Sequence, residues 1–208
     1  MTFILGLTGS IGMGKSTTAA LFQARGIPVH DADATVHALY RGRAVPLIAA
    51  AFPDAVRDGM VDRPSLSAAV LGKPEAMARL EAIIHPLVRE DEASFLYGCR
   101  QRGAGLAVLD VPLLLETGGA SRCDAVLVVS APAEIQRARV LARPGMTAER
   151  LDAILARQMP DAQKRARAHF IVDTSRGVVA AGRQVGSILA ALAGRPGRAG
   201  RGWTDDHA

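Results

Sequence analysis

The stretch Phe3-Ile4-Leu5-Gly6-Leu7-Thr8-Gly9-Ser10-Ile11-Gly12-Met13-Gly14-Lys15-Ser16-Thr17 decides the fold. Residues 3–8 are a nearly continuous apolar run, as expected of a strand buried on both faces of a parallel sheet. Residues 9–16 then satisfy every required position of the phosphate-binding pattern G-x-x-x-x-G-K-[ST], and a helix is expected to leave near Lys15. Glycines let such a loop curl until successive N–H groups point at phosphate oxygens. The outgoing helix adds partial positive charge. Ser10, Ile11, Gly12, Met13, Gly14, Lys15, Ser16 and Thr17 form the expected nucleotide-binding set. Lys15 reaches the β- and γ-phosphates, and the Ser16 hydroxyl is a candidate ligand for Mg²⁺.

Working outward, apolar runs recur at 27–29, 106–109, 125–129 and 170–172, separated by helical patterns. With residues 3–8 they predict an α/β fold on a parallel five-stranded sheet flanked by helices. Gly26 followed by Pro28 ends the first helix. Between about 31 and 103 helical spacing dominates (Leu80, Ile83, Ile84, Leu87, Val88) without a strong strand signal, which predicts a helical insertion. Helices return from 132: Pro132 opens one, and Thr147 caps another with Glu149 in its first turn. Leu151, Ile154, Leu155 and Met159 share a face there. The nucleotide core is thus expected at about 1–30, 104–138 and 168–194, the insertion at 31–103, a lid at about 139–167, and a flexible basic tail at 195–208.

Two hundred and eight residues suit one such domain, and 49% hydrophobic with 22% charged residues exclude wholesale disorder. Cys99 and Cys123 are too few for a disulfide framework or a tetrahedral zinc site and read as packing residues. No signal peptide or membrane span is read, so the expectation is a soluble, cytoplasmic chain, a monomer or small homo-oligomer. Residues 137–167 hold eight basic and three acidic residues, a surplus of five that equals the net charge of the chain. Such a patch either meets a polyanion or decorates solvated helices. Aromatic residues at 4% leave little for stacking on bases, so no nucleic-acid partner is expected.

No N/T-K-x-D element is present to read guanine, and the chain is too short for a large ATPase or helicase. A small phosphotransferase remains. It needs an acceptor pocket, a group to take the acceptor's proton and arginines over the phosphates. Asp31-Ala32-Asp33 follows the short run 27–29 and so falls at the carboxyl edge of the sheet, where open α/β folds bind ligands. Of the two carboxylates Asp31 is favoured as a helix cap and Asp33 for chemistry. Asp110, ending the run 106–109, either reaches the Mg²⁺ shell through water or caps a helix.

These segments, together with His85-Pro86-Leu87-Val88-Arg89, Asp110-Val111-Pro112-Leu113-Leu114-Leu115-Glu116, Gln158-Met159-Pro160 and Lys164-Arg165-Ala166-Arg167-Ala168, resemble the dephospho-CoA kinase family from residue 3 to about 176. The resemblance implies a P-loop kinase core with a helical CoA-binding insert and an arginine-bearing lid. It implies ATP as co-substrate, Mg²⁺, and phosphorylation of the ribose 3′-hydroxyl of dephospho-CoA, the final step of coenzyme A biosynthesis. Within it Lys15, Asp33 and Arg139 are the catalytic candidates. Asp33 engages the 3′-hydroxyl, and Arg139 balances charge on the transferring phosphoryl. Arg143 belongs near the adenine or the lid hinge. Thr8, Asp33, His85, Arg89 and Glu116 are assigned to the substrate side, with a structural histidine and a supporting salt bridge as the alternatives for His85 and Glu116. Ser16 and Asp110 are the metal candidates. Departures from the family pattern are Ser10 for glycine, Met13 for a small residue, Ile154 for a lid arginine, His169 for aspartate and Thr174 for asparagine. The Ile154 departure shifts lid contacts to Arg157 or Arg150.

Overall fold

In the computed structural model, which describes residues 1–199, β1 (Phe3–Thr8) is buried at every position and lies at the centre of the main sheet. Four further strands complete it: β2 (Val29–Asp31), β5 (Leu106–Asp110), β6 (Ala125–Ser130) and β7 (Phe170–Asp173), in the order β2-β5-β1-β6-β7. The ladders β1–β5, β1–β6 and β6–β7 are parallel, with Leu5 opposite Val108 on one side and Ala125 on the other. This is the expected sheet, with β2 displaced two residues along the chain from the run 27–29. Pro28 has no N–H for a ladder, but its carbonyl accepts from Val108 N at 2.9 Å.

Strand β6 shows why the apolar runs are continuous. Leu127 and Val129 pack into a core with Leu5, Leu7 and Phe22, while Val126 and Val128 pack with Leu114. Alternate side chains point to opposite faces, so both faces are covered. Helices α1 (Lys15–Gln23) and α9 (Gly177–Leu192) bury Phe22, Val185 and Ile188 in the larger of these cores. Cys99 is fully buried, and burial pushes its thiol up, away from the reactive thiolate.

The described chain divides into two compact units, one made of Met1–His30 and the described residues from Leu96 on, the other of Asp31–Phe95. The second unit contains α2 (Ala32–Leu39), α3 (Val45–Ala51), α4 (Arg63–Val70) and most of the 28-residue α5 (Pro74–Gln101). Its own core gathers Leu39, Ile48, Phe52, Leu66, Leu80 and Ile84. A small antiparallel hairpin, β3 (Val56–Arg57) with β4 (Met60–Val61), interrupts the helices. It was not expected from the helical texture. The local signal is Asp58-Gly59, whose positive φ values of 50° and 72° suit the tight turn between twisted strands.

In the first unit Pro132 precedes α6 (Ala133–Leu141), and the Thr147 hydroxyl caps α7 (Ala148–Leu155) by accepting from Arg150 N at 3.3 Å. The short α8 (Asp161–Ala166) follows. Residues 200–208 of the expected tail lie outside the described residues. Its described beginning is held by residues that precede β1 and β6: Gly197 N donates to Met1 O, and Arg198 N and Ala199 N donate to Asp124 Oδ1. Among the described residues no helix is long and apolar enough to cross a membrane.

Candidate active site

The phosphate loop is fixed from below before any ligand is considered. Met13 is 2% exposed and sits in the main core, with its sulfur accepting from Ala131 N at 3.1 Å. The departure from a small residue therefore fills the core and leaves the loop's concave side alone. Gly12 has φ +78°, and a Cβ there would fall 2.5 Å from Val140 Cγ2 on α6. Only glycine meets both conditions. The Thr174 hydroxyl donates to Met13 O at 2.8 Å and accepts from Arg139 Nη1 at 2.8 Å, while Arg139 Nη2 donates to Thr174 O. Thr174 thereby carries the loop's support and the guanidinium together.

At the mouth of the loop Lys15 Nζ lies 2.6 Å from Asp110 Oδ1. Asp110 ends β5 and is 1% exposed. The adjacent β1 ends in the loop itself, so the parallel register brings the two residues to one edge of the sheet. Ser16 and Thr17, opening α1, leave their side chains exposed. Ser10 is buried, and its carbonyl accepts from Met13 N.

Thr8 is fully buried and donates its hydroxyl to Pro112 O at 2.9 Å, which steadies the segment after β5. Glu116, in that segment, pairs with Lys164 at 2.8 Å and accepts from Met159 N at 2.9 Å. Burial pushes its carboxyl up, but the Lys164 ammonium and the Met159 N–H outweigh this and hold it below the usual glutamate value. Lys164 is wholly buried, an exception for lysine that requires such a partner. Of the eight cations between 137 and 167, four are engaged within the unit: Arg137 with Asp152, Arg139 with Thr174, Arg150 with Gly145 O and Lys164 with Glu116. Arg143 and Arg157 are exposed.

In the second unit Asp31 caps α2, its carboxylate accepting from Ala34 N at 3.0 Å, and Asp33 occupies the exposed first turn. Asp31 is thus the helix cap that the sequence reading favoured. Asp33 lines a cavity of about 830 Å³ whose walls include His37, Tyr40, Arg63, Leu66 and Leu80. Arg63 Nη1 lies 3.2 Å from His37 Nε2, and burial raises the Tyr40 hydroxyl's pKa, keeping it a neutral donor. His85 and Arg89 are exposed on α5.

Sequence reasoning did not assign Gln136, Thr174 or Lys164. Gln158 was visible only as part of a quoted segment. Among the described residues no group of three or more His, Cys, Asp or Glu side chains could hold a metal ion by itself.

Comparison with known proteins places this arrangement. The dephospho-CoA kinase family model matches residues 3–179. A dephospho-CoA kinase of Mesorhizobium japonicum is 60% identical over 93% of this chain and 98% of its own length. One from Brucella melitensis is 56% identical over 95% and 99%. The crystal structure of TT1252 from Thermus thermophilus superposes with a TM-score of 0.81 at 37% identity, covering 93% of this chain and 99% of that one. With identities this high over nearly whole chains, and the family's phosphate loop intact, this chain belongs to the dephospho-CoA kinase family.

Proposed function

We propose that the protein transfers the γ-phosphoryl group of ATP to the ribose 3′-hydroxyl of dephospho-CoA, giving coenzyme A and ADP, the last step of coenzyme A biosynthesis. The observation that carries this reading is family membership across residues 3–179 joined to an intact phosphate loop whose Lys15 stands beside the buried Asp110.

In this reading the 3′-oxygen bonds to the γ-phosphorus as the bond to the β–γ bridging oxygen breaks. The hydroxyl proton passes to Asp33, and ADP leaves. The transition state is loose, so Asp33 chiefly orients the nucleophile. Lys15 exchanges Asp110 for phosphate oxygens. Arg139 keeps its fork on Thr174 and turns its remaining N–H toward charge on the transferring group. Arg143 serves the adenine side or the lid hinge.

The cavity beside Asp33 takes the acceptor: the Arg63 cation suits a diphosphate, and the aliphatic wall suits an uncharged arm. His85 and Arg89 assist on the same substrate. Thr8 and Glu116 act from behind by holding the segment after β5.

The Ser16 hydroxyl and Asp110 carboxylate are hard oxygen donors and fit Mg²⁺, which needs few protein ligands when phosphates supply others. Bound there, the ion would neutralise charge on the β- and γ-phosphates.

The test is ADP release with MgATP and dephospho-CoA, AMP or no acceptor, with product mass. One phosphoryl gained on dephospho-CoA alone is expected. ADP release indifferent to acceptor would overturn the reading.

A further inference from the structure

Ile11, in the middle of the phosphate loop, is held on both sides of its Cα by two glutamine side chains. Gln136 Nε2 donates to Ile11 O at 2.7 Å, and Ile11 N donates to Gln158 Oε1 at 3.1 Å. Gln136 stands in the first turn of α6 and is buried. Its side chain also runs beneath Gly12, where a Cβ would meet Gln136 Cγ at 3.4 Å. Gln158 comes from the turn after α7, and its neighbours are anchored in their own right. Met159 N donates to Glu116, Lys164 pairs with Glu116, and Asp161 Oδ2 accepts from Ser130 Oγ at 2.8 Å.

We infer that Gln136 and Gln158 are positioning residues that together clamp the backbone at Ile11 and keep the phosphate loop in its nucleotide-binding shape. The inference rests on the kinase reading for its purpose, but its test needs only nucleotide binding. The N–H of Ile11 belongs to the peptide plane before its Cα and its C=O to the plane after it, so the two bonds fasten two successive rigid planes. A single bond fastens one plane and leaves the other free to swing about the φ and ψ torsions of Ile11. Two bonds, one on each plane, hold both torsions. Swinging either plane turns Gly12 and everything after it, because the torsions of Ile11 lead directly into the glycine turn. An unclamped loop spends part of its time in other shapes, and apparent nucleotide affinity falls by the fraction lost.

The two side chains play chemically different parts. Gln136 supplies a donor, which no carboxylate can replace, whereas Gln158 supplies an acceptor. Because the torsions of Ile11 are held only while both flanking planes are fastened, losing either bond frees them, and losing the second adds little.

The experiment is a double-mutant cycle with Gln136→Met and Gln158→Met, reading ATP and ADP dissociation constants by calorimetry and turnover at saturating ATP. Each single variant is expected to weaken ATP and ADP alike by about three- to tenfold, the worth of one ordinary hydrogen bond. The Michaelis constant for dephospho-CoA and the saturated turnover are expected to stay within about twofold. The double variant is expected to fall well short of the product of the two losses. Unchanged nucleotide affinity in the Gln158 variant, or strictly multiplicative losses, would overturn the clamp. If Gln136→Met fails to fold, the partly exposed Gln158→Met decides the matter through its split between nucleotide affinity and acceptor constant. A wild-type protein that binds MgATP but leaves dephospho-CoA unphosphorylated refutes the kinase reading without touching the cycle.

Discussion

Lys15 Nζ and Asp110 Oδ1 stand 2.6 Å apart at the carboxyl edge of neighbouring parallel strands. The pair gives a buried carboxylate a counter-charge and holds the lysine at the loop's mouth. Phosphate oxygens then compete with one carboxylate rather than with bulk water for the ammonium. Lys15→Ala is expected to damage ATP binding and chemistry together, lowering turnover by about a hundredfold or more. Calorimetry with ATP and an ADP-release assay check both halves. Retained ATP affinity would count against the placement of Lys15 on the phosphates.

Asp33→Asn separates chemistry from nucleotide binding. Turnover is expected to fall by about 10²–10⁴-fold with ATP affinity nearly intact, since the loop is in the other unit. Asp31→Ala is the contrasting variant. It removes the α2 cap and is expected to cost about 1 kcal/mol of stability, read in urea titration, without a comparable loss of turnover. Equal turnover losses in the two variants would undo the division of labour between these carboxylates.

The Glu116–Lys164 pair predicts unequal costs for its two partners. Glu116→Gln leaves a wholly buried ammonium without a counter-charge and is expected to destabilise by about 3–5 kcal/mol. Lys164→Met fills the same volume and leaves Glu116 with partial exposure and the Met159 N–H, so its cost is smaller. Denaturant melts at neutral pH rank the two.

The same pair sets a pH dependence. The folded Glu116 carboxyl titrates below the ordinary value of 4.5. Its stabilisation is therefore complete above about 4.5 and is lost as the pH falls through the folded value. Wild type is expected to lose more stability between pH 7 and acid pH than Glu116→Gln. Parallel losses would show that the pair does not set this window.

Glycines with positive φ are not equivalent. Gly12→Ala combines a strained backbone with a clash against Val140 and is expected to abolish nucleotide binding. Gly26→Ala has the same strain, with φ +74° and open space around the Cβ, and is expected to cost about 1 kcal/mol of stability with affinity unchanged. Equal losses of ATP affinity in the two variants would remove the special status of the loop glycine.

The sheet was legible because doubly buried strands must be apolar throughout, and runs such as Ala125–Ser130 look like nothing else. The loop was legible because its glycines and Lys15 serve backbone geometry and charge that few other residues supply. The hairpin at 56–61 was not, since two-residue strands carry no periodicity and only Asp58-Gly59 marks the turn. Thr174, Gln136 and Gln158 escaped for a different reason. Each meets the loop from more than 100 residues away in sequence, and a neutral hydroxyl or amide bears no local sign of its partner. Lys164 was counted with a surface patch, because only the fold reveals that it is buried.

The anchoring of Met13 in the core has a dynamic consequence. A loop whose central side chain belongs to the same cluster as Phe22 and Val129 stays anchored at that point even where its flanks move. The Met13 amide, which donates to Ser10 O, should exchange with solvent hydrogen far more slowly than that of an ordinary surface turn. Loosening the core beneath it would then register first as weaker hold on nucleotide, while the protein is still folded.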